Sequence, residues 1–85
     1  MAGQMDRAIS NLEAILDECG SSLERVIKTQ IMYTDAADVP AMDAAYARRF
    51  KQPLPVRTSW GVKFLASEPG TELVRVQIDC VAEVA

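Results

Sequence analysis

The stretch Gly20-Ser-Ser-Leu-Glu-Arg-Val-Ile-Lys-Thr-Gln-Ile-Met-Tyr-Thr34 contains the change from helix to strand that decides the fold of this 85-residue chain. Gly20 is well placed to end a preceding helix, because glycine readily adopts the left-handed conformation found there. Ser21 and Glu24 lie three residues apart, in a capping-box pattern. The residues that follow are rich in β-formers, so the stretch predicts one helical turn and then a strand over 26–34.

Alternation with a period of two assigns the side chains of this strand to two faces. One face holds Ile27, Thr29, Ile31 and Tyr33, and the other holds Val26, Lys28, Gln30 and Met32. We expect the first face to pack against helices.

Two helices are predicted, one on each side of this strand in the chain. Apolar residues before Gly20 recur at the three-and-four spacing of one helix face; they are Met5, Ala8, Ile9, Leu12, Ile15, Leu16 and Cys19. After the strand, Asp38 can cap a second helix and Pro40 fits its first turn. The apolar stripe of that helix consists of Val39, Met42, Ala45, Tyr46 and Phe50. Its basic end, Arg48-Arg49-Lys51, complements the helix dipole.

The remainder of the chain is predicted to be extended. Pro53 and Pro55 force an extended connection, a strand follows over 56–65, and Glu68-Pro69-Gly70 suits a turn. The last strand, over 73–82, places Val74, Val76, Ile78, Cys80 and Ala82 on one face and Arg75, Gln77, Asp79 and Val81 on the other. We therefore expect an α+β fold with two helices on one face of a sheet, as a single domain over 1–85.

Composition excludes several classes of function. The net charge is −3 and the basic residues are scattered, which argues against a nucleic-acid surface. The chain has no histidine, and Cys19 and Cys80 are expected to be buried structural thiols, so neither a metal site nor a cofactor is expected. Neither a signal peptide nor a long apolar run occurs, which predicts a cytoplasmic protein without a membrane span.

Arg57 is the residue that most directly suggests a function, because it is a charge in an otherwise strand-like stretch. Two interpretations are open. Either the aliphatic part of this side chain packs while its guanidinium reaches water, or the guanidinium is held in place and binds an anion with two hydrogen bonds. Two interpretations are also open for Asp79. Either it forms a salt bridge with Arg57 across strands, which stabilises the fold by about 0–1 kcal/mol if exposed, or its carboxylate orients or deprotonates a water molecule. Asp43 is expected to be a solvated helix residue.

Five segments in collinear order resemble the Rid family, also called YjgF or L-PSP. They are Asn11-Leu-Glu-Ala-Ile-Leu16, Gly20-Ser-Ser-Leu-Glu-Arg-Val-Ile-Lys-Thr29, Ala41-Met-Asp-Ala-Ala-Tyr46 with Phe50, Val56-Arg-Thr58 and Val76-Gln-Ile-Asp-Cys-Val-Ala82. The resemblance implies a chorismate-mutase-like fold on a mixed sheet, assembly as homotrimers, and sites in clefts between subunits. Members of the RidA group act as enamine/imine deaminases, which hydrolyse 2-aminoacrylate-like intermediates to 2-keto acids and ammonia. Older labels for the family are L-PSP endoribonuclease and translation inhibitor.

The resemblance also implies roles for individual residues. Arg57 matches the arginine that binds the substrate carboxylate, with Thr58 and Ser59 beside it, and Asp79 matches the acidic residue on the last strand, a glutamate in the deaminases. Asp43 falls where many members have asparagine. Asp79 is one methylene shorter than glutamate, a difference that moves a bound water by about an ångström and can cost on the order of a hundredfold in rate. Ala66 and Trp60 also depart from the family pattern.

The resemblance covers the C-terminal two-thirds of the family pattern and lacks its N-terminal hairpin region. We expect the strand over 73–82 to present an unpaired apolar edge, and the chain to associate through that edge or through the sheet face. Two classes of function stay open: an imine deaminase, and a non-catalytic binding or structural member of the family.

Overall fold

The computed structural model describes residues 2–66 and 73–84. Its helices are α1 (Ala2–Glu18) and α2 (Val39–Arg49), and its strands are β1 (Val26–Tyr33), β2 (Val56–Gly61) and β3 (Val76–Ala82). Single 3-10 turns, Leu23–Arg25 and Ala36–Asp38, precede β1 and α2. The predicted order of helices and strands is confirmed. Among the described residues, no helix is long and apolar enough to cross a membrane.

β1 is the central strand of a mixed sheet with the order β2-β1-β3. It runs parallel to β2 and antiparallel to β3. A parallel pair needs a crossover connection, and α2 lies in the connection between β1 and β2. α1 packs against both α2 and β3. The predicted architecture, two helices on one face of a sheet, is therefore confirmed.

The core lies between the helices and the sheet. Its fully buried side chains are Met5, Ile9, Thr29, Ile31 and Met42. Around them lie Leu16, Val26, Ala45, Tyr46, Phe50 and Val76. The predicted stripe of α1 is wrong at its end, because Ile15 is 60% exposed and Cys19 lies beyond the last residue of the helix. Cys19 is consequently an exposed thiol rather than a buried one.

A register shift at the start of β1 changes which side chains face the helices. Val26 is buried and Ile27 is 48% exposed, the reverse of the predicted assignment. Val26 pairs with Ala82 and Lys28 with Val81, so Ile27 is an additional residue in the ladder, as in a β-bulge. Beyond the bulge, the predicted inward face is confirmed by the burial of Thr29 and Ile31.

Of the two predicted signals around residues 20–24, the helix end at Gly20 is confirmed and the capping box is not. Gly20 has a φ of 77° and ends α1 as expected. Ser22, which precedes the 3-10 turn, makes no capping bond, and Ser21 Oγ instead donates to the carbonyl of Glu83 at 2.6 Å. The capping-box prediction is therefore wrong, because this hydroxyl joins the two ends of the fold instead.

Asp38 occupies the N-cap position of α2 but makes no side-chain cap there. Its carboxylate accepts hydrogen bonds from Arg75 Nε at 3.0 Å and Nη2 at 2.5 Å. The Asp38 side chain is 8% exposed, whereas that of Arg75 is 42% exposed. The predicted cap is therefore a partly buried ion pair between the residue before α2 and the residue before β3.

The side-chain amide of Gln4 joins the first turn of α1 to the same segment. Its Nε2 donates to the carbonyl of Leu73 at 2.8 Å, and its Oε1 accepts from the backbone N–H of Arg75 at 2.8 Å. This amide bonds to the extended backbone as a neighbouring strand does.

Both later strands are shorter than predicted. β2 ends at Gly61, before position 65, and β3 begins at Val76, after position 73. The predicted turn at Glu68-Pro69-Gly70 lies outside the described residues. In β3 the predicted alternation is confirmed, since Val76 is buried, Ile78, Cys80 and Ala82 are partly buried, and the residues between them are exposed.

We expect Arg75→Ala to lower the free energy of unfolding by about 2 kcal/mol, and Asp38→Ala to lower it by less. The first change leaves a buried carboxylate without its partner, whereas the second leaves a guanidinium that reaches water. Urea denaturation at fixed protein concentration measures both, with the exposed Arg25→Ala as the control, expected within about 0.5 kcal/mol of wild type. An equal or greater loss in Asp38→Ala would contradict this interpretation.

Candidate functional site

Arg57, the second residue of β2, is held in place on the helix side of the sheet. It pairs with Thr29 of β1, whose side chain is buried beneath α2. The Arg57 guanidinium carbon lies 4.9 Å from the centroid of the Tyr46 ring, a cation–π distance. Its Nε donates to Ser59 Oγ at 2.8 Å, and its Nη2 donates to Asp43 Oδ1 at 2.6 Å. The Arg57 side chain is 25% exposed, and these contacts fix the orientation of its guanidinium.

A second layer of contacts fixes the Tyr46 ring itself. The ring stacks on Phe50 with centroids 4.4 Å apart and an interplanar angle of 22°. Its hydroxyl lies 3.0 Å from Thr29 Oγ1, in a buried hydrogen bond. Tyr46 and Phe50 are core residues as predicted, but one face of Tyr46 is also the platform on which Arg57 rests.

Arg57 borders a cleft of about 500 Å³ between α2 and the 51–55 segment. Asp43, Tyr46, Lys51 and Leu54 are among the residues that line this cleft, which we call the Arg57 cleft. A guanidinium carries five N–H donors, and described residues engage two of those of Arg57. The other three, including both on Nη1, have no partner in the described part of the chain. Charge-assisted bonds from such donors suit a carboxylate ligand.

The other predicted site residues divide between the two faces of the sheet. Ser59 lies on the helix side with Arg57 and accepts its Nε hydrogen bond. Thr58 and Asp79 both pair with Gln30 of β1, from opposite sides. Successive strand residues point to opposite faces, so Thr58 and Asp79 lie on the face away from the helices, which we call the open face.

The predicted salt bridge between Arg57 and Asp79 is absent from the described structure. Thr29 pairs with Arg57 on one side and with Cys80 on the other, and the residue before Cys80 therefore points away from Arg57. The partner of Arg57 is Asp43. As expected, Asp43 is a solvated helix residue, with its side chain 52% exposed, and it also pairs with Arg57. Asp43 lies three residues before Tyr46, on the same helix face, but no sequence pattern shows that Arg57 meets this face.

Cys80 faces the helix side of the sheet and is partly buried. Burial raises the pKa of its thiol, and the negative charge of Asp79 raises it further. Because a thiol must ionise to act as a nucleophile, Cys80 is suited to packing rather than to covalent chemistry.

The open face carries several exposed apolar side chains. Val56 is 69% exposed, Trp60 38% and Val81 56%. β3 pairs only with β1 among the described strands, so it forms an edge of the described sheet. Exposed apolar faces and edges of this kind favour association with another chain; the predicted association itself stays a prediction.

Comparison with known proteins identifies relatives along almost the whole chain. A family model described as Endoribonuclease L-PSP matches residues 1–84. "Protein mmf1, mitochondrial" of Schizosaccharomyces pombe is 32% identical over 79 residues, covering 93% of this chain and 48% of the relative. "Reactive Intermediate Deaminase A, chloroplastic" of Arabidopsis thaliana is 30% identical over 79 residues, covering 93% of this chain and 40% of the relative.

A solved structure confirms the fold. The crystal structure of RidA from the Antarctic bacterium Psychrobacter sp. superposes with a TM-score of 0.88 at 24% identity, covering 99% of this chain and 64% of that one. The chain thus spans about half or less of the two relatives' lengths and about two-thirds of that structure.

Together, the helices and the mixed sheet define an α+β protein of the chorismate-mutase-like class. Because the family model matches residues 1–84, the chain belongs to the Endoribonuclease L-PSP family, which is the Rid or YjgF family. The resemblance in the sequence is therefore confirmed.

We expect Tyr46→Phe and Thr29→Val each to lower the free energy of unfolding by about 1 kcal/mol, because each breaks one buried hydrogen bond. The double variant loses less than the sum of the two, since both changes remove the same bond. Urea denaturation measures all three. Tyr33→Phe is the matched control, because its hydroxyl has no partner among the described residues; a full loss in this control, or strict additivity in the double variant, would contradict the assignment.

Proposed function

We propose that the chain functions as an enamine/imine deaminase in which Arg57 binds the carboxylate of a small 2-imino acid. The observation that carries this proposal is the fixed guanidinium of Arg57, which keeps three N–H groups without a described partner at the border of the cleft. The name of the Arabidopsis relative, a reactive intermediate deaminase, supports the same chemistry.

The proposed reaction starts from 2-aminoacrylate, whose enamine tautomerises to the imine 2-iminopropionate. Water adds to the imine carbon, with its oxygen bonded to that carbon and its proton passed to the nitrogen by way of a carboxylate. The hydroxyl of the resulting carbinolamine then gives up its proton to the nitrogen, the C=O bond forms as the C–N bond breaks, and ammonia leaves pyruvate behind. Arg57 holds the carboxylate throughout, and Asp79 is the proposed carboxylate that orients the water and relays its proton. Thr58 stays a proposed substrate-binding residue.

If both Arg57 and Asp79 act on one substrate, as proposed, the site is shared between two subunits. Arg57 and Asp79 lie on opposite faces of the same sheet, so a cleft that uses both takes Asp79 from a second chain. The apolar open face, with Val56, Trp60 and Val81, supports such an assembly. We propose a homotrimer, the assembly that the family resemblance implies.

A non-catalytic, ligand-binding role is the second candidate. It is favoured by one observation: the carboxylate beside Arg57 within one chain belongs to Asp43, which is tied to the guanidinium by an ion pair. Ribonuclease activity, the older label, has less support, because the chain has no histidine and a net charge of −3. A cytoplasmic location also stays a prediction, since the relative in Schizosaccharomyces pombe is named mitochondrial.

We expect the wild-type protein to accelerate the decay of 2-aminoacrylate, and Arg57→Ala to lose about a hundredfold or more of that activity. Arg57→Lys keeps the charge but loses the fork, so it stays well below wild type. The assay generates 2-aminoacrylate from serine with a pyridoxal-phosphate dehydratase and follows its absorbance. Arg25→Ala is the matched control, because Arg25 is an exposed arginine outside the cleft. If wild-type protein does not accelerate the decay over buffer, the deaminase proposal fails and the non-catalytic binding role is the candidate that is left.

The shared site is tested by mixing Arg57→Ala and Asp79→Ala chains. Each variant alone is expected to be inactive, whereas subunits mixed one to one and reassembled regain about a quarter of the sites, because each interface combines different patches of two chains. The measurement is the same decay assay after refolding the mixture together. Recovery no greater than that of the separate variants, with mixed assembly confirmed by native mass spectrometry, would show that the two residues do not meet across subunits.

A further inference from the structure

We infer that Asp43 determines the ligand preference of the Arg57 cleft: it makes the cleft favour a ligand with a cationic nitrogen beside its carboxylate over a simple carboxylate of the same size. This inference rests on the proposed carboxylate site at Arg57. It assigns a role to a residue that the proposed reaction leaves unused.

The position of Asp43 places a negative charge inside the cleft next to the positive one. Its Oδ1 accepts from Arg57 Nη2 at 2.6 Å, and both residues line the cleft. Its other carboxylate oxygen, Oδ2, has no partner among the described residues, and the side chain is 52% exposed. Asp43 also lies three residues before Tyr46 on α2, so the carboxylate and the aromatic platform emerge from one helix face.

A simple carboxylate that accepts hydrogen bonds from Arg57 Nη1 therefore lies close to a like charge. The two anions share one guanidinium, and their repulsion at a separation of several ångströms lowers the affinity by about tenfold. Lys51 also lines the cleft and is exposed, so it attracts the carboxylate of either ligand, and water and salt screen its repulsion of the ligand nitrogen.

A zwitterionic or iminium ligand avoids this repulsion. In a 2-amino or 2-imino acid the cationic nitrogen is bonded to the carbon next to the carboxylate, so the two charges are adjacent, as Arg57 and Asp43 are in the cleft. The ligand carboxylate accepts from Arg57 while its nitrogen donates to Asp43, and each charge meets its opposite. Asp43 is thus a specificity-determining residue that recognises the nitrogen of the ligand.

Propionate and L-alanine form a matched pair of probes, because they differ by one α-ammonium group. NMR titrations of the full chain, followed on the Arg57 Nε–H and the β2 amides, measure both dissociation constants. We expect wild type to bind L-alanine about tenfold more tightly than propionate, and Asp43→Asn to lose or reverse this ratio. Asp17→Asn, the same change of charge on α1 outside the cleft, keeps the wild-type ratio, and Asp43→Ser serves as a second neutral variant.

The outcomes separate this inference from the proposed function. An unchanged ratio in both Asp43 variants, with binding still lost in Arg57→Ala, overturns the role of Asp43 and leaves the carboxylate site in place. If wild type binds neither probe, or Arg57→Ala binds them as wild type does, the carboxylate site fails and the inference fails with it. A ratio that falls in the Asp43 variants and persists in Asp17→Asn supports the inference.

Discussion

The parallel pairing of β1 with β2 is the constraint on which the rest of the structure depends. Two strands that follow each other in the chain and run in the same direction need a connection that returns to the starting end of the sheet. In this chain α2 lies in that connection, and the hydroxyl of its Tyr46 is hydrogen-bonded to Thr29 of β1. The same requirement therefore brings Asp43 and Tyr46, on one face of α2, to the arginine near the start of β2. The fold and the cleft have a common origin.

Much of this architecture could be predicted from local patterns. The spacing of apolar residues located both helices, Gly20 marked the end of α1, and alternation in β3 gave its buried face. These signals depend on a period or on one residue's backbone preference, so no distant contact is needed to interpret them. The error at Ile27 shows the limit of such patterns, because a β-bulge reverses the alternation and leaves no mark in composition.

The partners of polar side chains could not be predicted in the same way. Asp38 has the position and chemistry of a helix cap, yet it binds Arg75, which lies 37 residues away. Arg57 was recognised as an anion-binding candidate, but Asp43 and not Asp79 proved to be its neighbour within the chain. Which acidic residue meets an arginine across a sheet depends on the order of the strands and on whether the register places both side chains on the same face. Both are properties of the assembled sheet. The charge pair at the cleft is accordingly the feature that sequence patterns missed.

The bonds made by Gln4 and Ser21 also have a consequence for how the chain folds. Gln4 reaches residues 69 and 71 positions later, and Ser21 reaches one 62 positions later. Closing loops of this length costs entropy before the contacts form, and a high average separation between contacting residues slows folding. α1 and β3 are therefore expected to dock late and together, so the native structure forms in one cooperative step that requires both elements.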